Sequence, residues 1–200
     1  MLEQFHYDSD LVGGFLMVRE SRIIADLLLH QATAEQWQQA IQVENVLQKR
    51  TAASAQRNAT AIRKRLEPDF WQALRDGDDE LATQVAFCGA LERNLLLVEF
   101  METMLRDAYI SQAEQLDSYV WSDFLEERSQ RDPDIADWKV SSKKKMGQVA
   151  FRMLAEVGYF KSTRKLELQR VIIRAELRML LQEHYTQRIK KCMEVSVWTR

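Results

Sequence analysis

The sequence has few of the residues that interrupt helices or cross-link small domains. Only two prolines and six glycines occur in 200 residues, which predicts long helices with few breaks. The two cysteines, Cys88 and Cys192, are too far apart in sequence to form a metal-binding pair, and they offer no disulfide framework. This cysteine usage is typical of a protein from a reducing compartment.

Histidines and glycine-rich motifs are also scarce, which leaves little for catalysis. His6, His30 and His184 are scattered, and none has a second ligand at metal-binding spacing. Gly13–Gly14 lacks the spacing and the lysine of a phosphate-binding loop. Cys88 lies on an apolar helical stripe, which favours packing over a nucleophilic role. We therefore expect no enzymatic activity, no catalytic residue, no metal and no cofactor.

Long apolar runs are missing as well. A hydrophobic content of 46% and a charged content of 29% indicate a folded globular protein. The most apolar stretch, Leu95–Val98, is flanked by Arg93 and Glu99 and is far shorter than the roughly 18 residues of a spanning helix. No N-terminal signal pattern is present. We expect a cytoplasmic protein without a membrane or small-molecule substrate as partner.

Charge is distributed unevenly along a chain whose net charge is only −2. Residues 76–137 hold sixteen acidic and four basic residues, whereas residues 139–165 hold eight basic residues and one acidic residue. Residues 45–66 hold six basic residues and no acidic residue. Two basic segments therefore flank an acidic middle. Such segments favour a nucleic acid as partner, although a charge run alone also fits an ordinary solvated surface.

The first basic segment has the pattern of a helix with one small-residue face and one basic face. At helical spacing the inner face comprises Ala52, Ala55, Ala59, Ile62 and Leu66. The candidate DNA contacts on and beside the outer face are Lys49, Arg50, Ser54, Arg57, Arg63 and Lys64. Asn45 could cap one helix running to residue 66, or Thr51 could cap a shorter helix after a turn, and we favour the turn.

The remaining N-terminal pattern predicts two further helices. One covers about residues 19–29, and the next begins at a capping box formed by Thr33 and Gln36. With the basic helix they form a three-helix, helix-turn-helix-like subdomain over residues 1–67, suited to DNA binding.

Residues 68–200 are predicted to form a second helical domain. Its central helix, 81–109, is apolar on several sides and bent at Gly89. A final helix covers about residues 174–193. The fold class is therefore mainly α, a multi-helix bundle.

The second basic segment contains a helix and a short β-rich stretch. Ser142 has the position of an N-cap for a helix over 143–157, which Gly158 ends. The pattern over 159–173 is compatible with a small C-terminal β-hairpin, so that 142–173 resembles a winged helix. Three lysines in a first helical turn oppose the helix dipole, which favours a phosphate near them. The candidate DNA contacts here are Lys143, Lys144, Lys145, Lys161, Arg164 and Lys165.

Five sequence blocks are distinctive: GGFLMVRESRIIADLLL at 13–29, EQWQQAI at 35–41, ENVLQKRT at 44–51, AIRKRL at 61–66 and LAEVGYF at 154–160. Together they closely resemble the BrxA family of bacteriophage-exclusion (BREX) systems. The resemblance implies a mostly helical cytoplasmic protein that binds double-stranded DNA, and the basic side chains suggest that it does so largely through phosphate contacts. It also implies action with the methyltransferase and the ATPase of the defence system. No catalytic residues are defined for the family.

Two other functions fit the same sequence. The acidic middle could dock a protein, which would make the chain an adaptor of the defence complex with incidental basic segments. The family has also been likened to RNA-binding antitermination factors of the NusB type, which makes RNA a third candidate partner.

Overall fold

The computed structural model describes Tyr7, Leu11 and residues 16–63, 68–184 and 187–197. The described chain is mainly α-helical, as the sequence predicts. In chain order the helices are α1 (Val18–Leu29), α2 (Ala34–Gln38), α3 (Ala52–Arg63), α4 (Pro68–Asp76), α5 (Asp79–Arg93), α6 (Leu95–Phe100), α7 (Arg106–Ile110), α8 (Val120–Ser129), α9 (Asp134–Asp137), α10 (Val140–Val157), α11 (Ala175–His184) and α12 (Gln187–Met193). Gln39–Val43 and Met101–Leu105 form π-helical turns.

The chain folds into two compact units, each assembled from separate stretches of sequence. The first unit comprises Leu16–Arg93 and Arg174–Thr186. The second unit comprises Met1–Phe15, Asn94–Ile173 and Gln187–Arg200. The first unit thus contains α1–α5 and α11, whereas the second contains α6–α10 and α12.

The first unit is organised around α1, α4 and α5. Helix α1 packs against α3 and α4, and α4 packs in turn against α5 and α11. Arg22 of α1 covers the end of α4 because its guanidinium donates to the carbonyl oxygens of Arg75 and Gly77 at 2.9 and 2.7 Å. These bonds satisfy carbonyl groups that the last turn of a helix leaves unpaired. Ion pairing and backbone capping therefore fix the α4–α5 connection.

The second unit has an aromatic core. The ring centroid of Phe100 lies 5.2 Å from that of Trp121 and 5.4 Å from that of Phe124. Phe151 of α10 contacts Phe100 at 6.0 Å and Phe160 at 6.0 Å. Tilted and edge-to-face arrangements of this kind are the favoured geometries of aromatic pairs. The core thereby fixes α6, α8 and α10 against each other.

A buried charged cluster lies in the same unit. Glu99 is only 7% exposed and Arg128 only 5% exposed, and Arg128 Nε lies 2.6 Å from a Glu99 carboxylate oxygen. The hydroxyl of Tyr7 donates to Glu99 at 2.7 Å, while the backbone N–H of Tyr7 donates to Asp132 at 2.7 Å. Arg131 also approaches Glu99, at 3.4 Å. The cluster attaches Tyr7 to α6 and α8, a role that the sequence analysis did not predict.

The prediction of one continuous central helix over 81–109 is wrong. The chain breaks at Asn94, between α5 and α6, whereas Gly89 lies inside α5. Asn94 has an extended backbone (φ −133°, ψ 96°), and its side-chain oxygen accepts from the N–H of Leu97 at 2.9 Å. Asn94 is therefore the N-cap of a new helix. An unbroken apolar pattern concealed this cap, because α5 and α6 are both buried.

The predicted C-terminal β-hairpin, and with it the wing, is also wrong. The described residues contain no strand there, only isolated antiparallel bridges from Phe160 to Leu168 and from Gln115 to Glu167. The N–H of Leu168 donates instead to the carbonyl of Glu114 at 2.9 Å. The segment therefore divides its backbone hydrogen bonds between two neighbours, and neither pairing extends into a ladder.

No single helix in the described ranges has the length and apolar character needed to cross a membrane. Helices α5 and α6–α7 meet those criteria only when the segments on both sides of Asn94 are taken together. The predicted helix over 174–193 is covered by α11 and α12, and residues 185–186 lie outside the described part.

Candidate nucleic-acid interface

The basic helix α3 begins immediately after Thr51, as the preferred prediction has it. The N–H of Ser54 donates to the Thr51 hydroxyl at 3.1 Å, and the Thr51 N–H lies 3.3 Å from the Ser54 hydroxyl. These reciprocal bonds satisfy two of the N–H groups that a helix leaves open at its start. The Ser54 hydroxyl also donates to the Thr51 carbonyl at 2.9 Å, so this predicted DNA contact is already engaged in capping.

The turn before α3 is held by a single amide side chain. Asn45 donates to the carbonyl of Lys49 at 2.7 Å and accepts from the N–H of Lys49 at 2.9 Å. Asn45 and Gln48 both have positive φ, at 49° and 52°, a region that asparagine tolerates better than most residues. Leu47 is 1% exposed and anchors the turn from within. The connection into α3 is therefore a fixed turn and not a continuation of the preceding helix.

Helix α3 docks through small side chains. Ala55, Ala59 and Ile62 are buried, which confirms this part of the predicted inner face. Ala52 is exposed, contrary to the prediction, and Leu66 lies outside the described residues. The helix packs against α1 and against the π-helical turn 39–43. Alanines allow this close approach, and the polar side of the helix is left facing solvent.

The first basic cluster (Lys49, Arg50, Arg57, Arg63 and Lys64) separates into engaged and available cations. Arg50 and Arg57 are exposed, and neither side chain has a partner in the described part of the chain. Lys49 donates instead to Glu20 of α1 at 2.7 Å. The Arg63 guanidinium lies over the Trp37 ring at 4.7 Å, in a cation–π contact. Lys64 lies outside the described residues.

The ion pair of Lys49 is a structural link between the turn and α1. Partial burial alone would raise the pKa of Glu20, but the hydrogen bond and the charge of Lys49 outweigh it, so that this pKa lies below its usual value. Lys49 therefore already has a negative partner. Any nucleic acid would have to compete with Glu20 for it, which makes Lys49 a poorer phosphate ligand than Arg50 and Arg57.

The second basic cluster (Lys143, Lys144, Lys145, Lys161, Arg164 and Lys165) has a different position from the predicted one. Helix α10 begins at Val140, with Lys139 at the N-cap position and no side-chain cap bond, so the predicted Ser142 cap is wrong. Lys143 is consequently the fourth helical residue. The lysines thus lie beyond the free N–H groups of the helix start. The predicted helical end at Gly158 is confirmed, since Gly158 has φ 101°.

Members of the second cluster are also unequal in availability. Lys161 is paired with Glu167 at 3.2 Å, and Lys143 donates to the carbonyl of Ala136 at 3.2 Å. The side chains of Lys144, Arg164 and Lys165 are exposed and have no partner among the described residues. In the second unit, available cations therefore come both from α10 and from the loop 161–165.

A cleft beside the second cluster was not found by sequence reasoning. It has a volume of about 720 Å³ and lies between α8 and α10, with Tyr119, Trp121, Lys144 and Phe151 among its walls. Gly147 permits the packing of α10 on α8, since a Cβ at this position would lie 2.7 Å from Trp121 Cδ1. A glycine inside a helical pattern is the one sequence signal that marks this close approach.

The acidic middle offers no arrangement that would hold a metal ion. In the described ranges no three histidine, cysteine, aspartate or glutamate side chains come together in such a group.

Cys88 and Cys192 are both buried, and burial raises the pKa of the Cys192 thiol to about 12. That thiol is therefore protonated near neutral pH and donates weakly toward the Val98 carbonyl at 3.8 Å.

Comparison with known proteins gives a consistent result over nearly the whole chain. The family model BrxA matches residues 5–185. The BREX protein BrxA of Paramagnetospirillum magneticum (strain ATCC 700264 / AMB-1) is 38% identical over 194 residues, covering 96% of this chain and 98% of that protein. The BREX protein BrxA of Escherichia coli O9:H4 (strain HS) is 32% identical over 176 residues, covering 86% and 83%.

A solved structure gives the same result at the level of the fold. The crystal structure of an uncharacterized protein from Magnetospirillum magneticum matches with a TM-score of 0.84 and 36% identity, covering 95% of this chain and 99% of that one. The family model and the sequence relatives agree with the resemblance of the sequence blocks. The chain belongs to the BrxA family.

Proposed function

We propose that this chain is a non-catalytic accessory protein of a BREX phage-defence system that binds double-stranded DNA, largely through phosphate contacts. The observation that carries the proposal is the build of α3. A fixed turn and a buried alanine face hold the helix, while Arg57 of the helix and Arg50 of the preceding turn are exposed without partners in the described chain. Arginines without a counter-ion on a rigid support are well suited to contact phosphates.

The available cations set the expected strength of binding. Five of the predicted contacts are exposed and free of described partners: Arg50, Arg57, Lys144, Arg164 and Lys165. Two of them belong to the first unit and three to the second. Each phosphate contact releases condensed counterions, so that the slope of log affinity against log salt is about −1.8 for the contacts of the first unit and about −2.7 for those of the second. Binding of this kind has weak sequence preference, because phosphates carry no base information.

The helix-turn-helix interpretation belongs to the same proposal. Helix α3 would take the position of the second helix of the motif, after the turn at Asn45–Thr51. Its polar residues Gln56 and Asn58 offer the amide groups that can read base edges. The Asn58 amide already donates to the Ser54 carbonyl at 2.7 Å, and the Gln56 amide oxygen accepts from Gln42 at 3.3 Å. Base reading would therefore require these bonds to rearrange, which again favours phosphate contacts.

The proposed partners follow from family membership. As a BrxA family member the chain would act with the methyltransferase and the ATPase of its defence system. DNA bound by the accessory protein would thus be presented to the components that modify it.

The test is direct binding of the full chain to a labelled duplex of about 20 base pairs at low salt, followed by fluorescence anisotropy. Arg57→Glu should weaken binding by about tenfold, since it removes one phosphate contact and adds a repulsive charge. Arg106→Glu is the matched control, because Arg106 is exposed, belongs to neither basic cluster and undergoes the same change of charge. Absence of duplex binding at micromolar protein, or equal losses in both variants, would refute the proposal.

An adaptor function is the alternative that the acidic middle favours. Several carboxylates of that segment, including Asp123, Glu126 and Asp134, lie in exposed positions. A protein that acts only as an adaptor would not bind the duplex. Its complex with a partner protein would be weakened by Asp123→Lys but not by Arg57→Glu. Competition of the labelled duplex with a structured RNA of equal length separates the third function, since an RNA-binding protein would release the duplex.

A further inference from the structure

The cleft between α8 and α10 has the dimensions of a ligand site. Its volume of about 720 Å³ lies inside the range of roughly 300–1,000 Å³ that ligand pockets occupy. All of its walls belong to the second unit, and the only members of the basic clusters among them are Lys143 and Lys144. Duplex binding as proposed above does not require a cleft, so this feature has no role yet.

One part of the cleft is aromatic. The Trp121 and Phe151 rings meet edge to face, with centroids 6.4 Å apart and an interplanar angle of 84°. Tyr119 is 58% exposed, an unusual fraction for so large a ring, and its hydroxyl donates to Asp117 at 3.1 Å. Trp121 is buried beneath the cleft, so Tyr119 and the half-buried Phe151 are the accessible rings of this wall. Accessible aromatic rings in a concave site provide stacking surfaces for planar ligands.

The Trp121 side chain also contains an unused hydrogen-bond donor. Its indole N–H is buried and has no acceptor among the described residues, whereas buried donors in native proteins are almost always paired. Gly147 contributes no side chain beside this ring. A planar ligand with ring nitrogens or carbonyl oxygens could supply the missing acceptor after a small adjustment of the wall.

The charges of the cleft are opposite on its two helices. Helix α10 contributes Lys143 and Lys144, and α8 contributes Glu126. Lys143 donates to the Ala136 carbonyl, which leaves Lys144 as the cation without a described partner. A fitting ligand is therefore anionic at one end and carries N–H donors at the other. A nucleotide has both, since its phosphate suits the lysines and its base suits Glu126 and the aromatic rings.

We propose that the α8–α10 cleft binds a single nucleotide, with the base against Tyr119 and the phosphate at Lys144. The nucleotide is either a free mononucleotide or one unpaired residue of a nucleic-acid strand. The site shares lysines with the second basic cluster but is distinct from the duplex contacts of α3.

The experiment is isothermal titration of the full chain with each of the four deoxynucleoside monophosphates, with an eight-residue thymidine oligonucleotide and with inorganic phosphate. Tyr119→Ala should weaken nucleotide binding by about tenfold, because loss of one stacking aromatic has an effect of that size. Lys144→Ala should weaken it severalfold. Arg170→Ala is the matched control, since Arg170 is an exposed cation of the same unit that belongs to neither basic cluster and does not line the cleft.

The outcomes separate this proposal from the proposed function. Binding of mononucleotides that depends on Tyr119 supports a free nucleotide, and binding of the oligonucleotide alone supports an unpaired strand residue. The proposal is overturned if neither ligand binds at millimolar concentration, if inorganic phosphate binds as well as the nucleotides, or if Arg170→Ala reduces nucleotide binding as much as Tyr119→Ala. Failure of duplex binding with intact mononucleotide binding would refute only the proposed function.

Discussion

The Glu99–Arg128 pair allows a quantitative prediction about the stability of the second unit. Both side chains are almost fully buried, and Glu99 also accepts the hydrogen bond of Tyr7. Replacing Glu99 by glutamine leaves the Arg128 guanidinium in a dry environment without its main counter-ion. Loss of one partner of a buried ion pair costs about 3–5 kcal/mol. The remaining ion pair of Arg128, to the exposed carboxylate of Glu127 at 2.9 Å, recovers at most about 1 kcal/mol.

We therefore expect Glu99→Gln to lower the free energy of unfolding by about 3 kcal/mol. The double variant Glu99→Leu/Arg128→Leu should lie much closer to wild type, because no charge is left buried. The acceptor of Tyr7 is lost at about 1 kcal/mol, and the lost pairs to the exposed Arg131 and Glu127 contribute little. Native-state hydrogen exchange of amides in α6 and α8 measures the loss of stability within the second unit, without assuming that both units unfold together. Glu127→Gln is the control and should cost less than about 1 kcal/mol.

The result that refutes this reasoning is additivity. If the double variant is as destabilised as the sum of the two single variants, the charges do not interact in the way that their 2.6 Å separation implies. A loss below about 1 kcal/mol for Glu99→Gln would equally show that the cluster is open to water.

Further predictions concern binding, capping, ionisation and backbone strain. Arg57→Ala should reduce the magnitude of the salt slope of duplex binding by about 0.9, measured by anisotropy from 50 to 300 mM salt, whereas Lys49→Ala should leave it unchanged because Lys49 is paired with Glu20. Asn94→Ala should cost about 1–2 kcal/mol in urea unfolding through loss of the α6 cap, and Asn94→Ser should recover most of it. Burial and the hydrogen bond to the Glu99 carboxylate raise the pKa of Tyr7 to about 12. The stability contributed by the neutral phenol is therefore intact below its ordinary pKa of 10 and is lost as the pH rises toward 12. The difference in the free energy of unfolding between wild type and Tyr7→Phe should shrink over that pH range. Gly158→Ala should cost about 1 kcal/mol at φ 101°, although the added methyl meets only Val171 Cγ2 at 3.8 Å; equal stability of the two proteins would contradict the left-handed cap.

Local signals account for the features that the sequence analysis predicted correctly. The Thr33–Gln36 capping box, the start of α3 after Thr51 and the end of α10 at Gly158 each depend on a few adjacent residues. The buried alanine face of α3 follows equally from helical spacing. Such features can be predicted because their partners lie within one turn of the chain.

The errors arose where the decisive partner is distant in sequence or the pattern is ambiguous. The segment before Gln169 was predicted to pair with its neighbour, yet it also bonds to Glu114, more than fifty residues earlier. The ion pair of Lys49 with Glu20 was likewise not predicted, because Glu20 lies on another helix. Asn94 was overlooked because apolar residues surround it on both sides. Charge counts identify basic segments, but they do not reveal which cations are already paired.

The assembly of each unit from separate stretches has a consequence for biosynthesis. The second unit combines Met1–Phe15, Asn94–Ile173 and Gln187–Arg200, and the last of these contributes the buried Ile189 and Cys192. A nascent chain leaving the ribosome cannot complete this unit until its final residues emerge. For the same reason, no single truncation yields either unit intact. Fragments for separate study would have to be rejoined by circular permutation or by linkers that bypass the excised stretch.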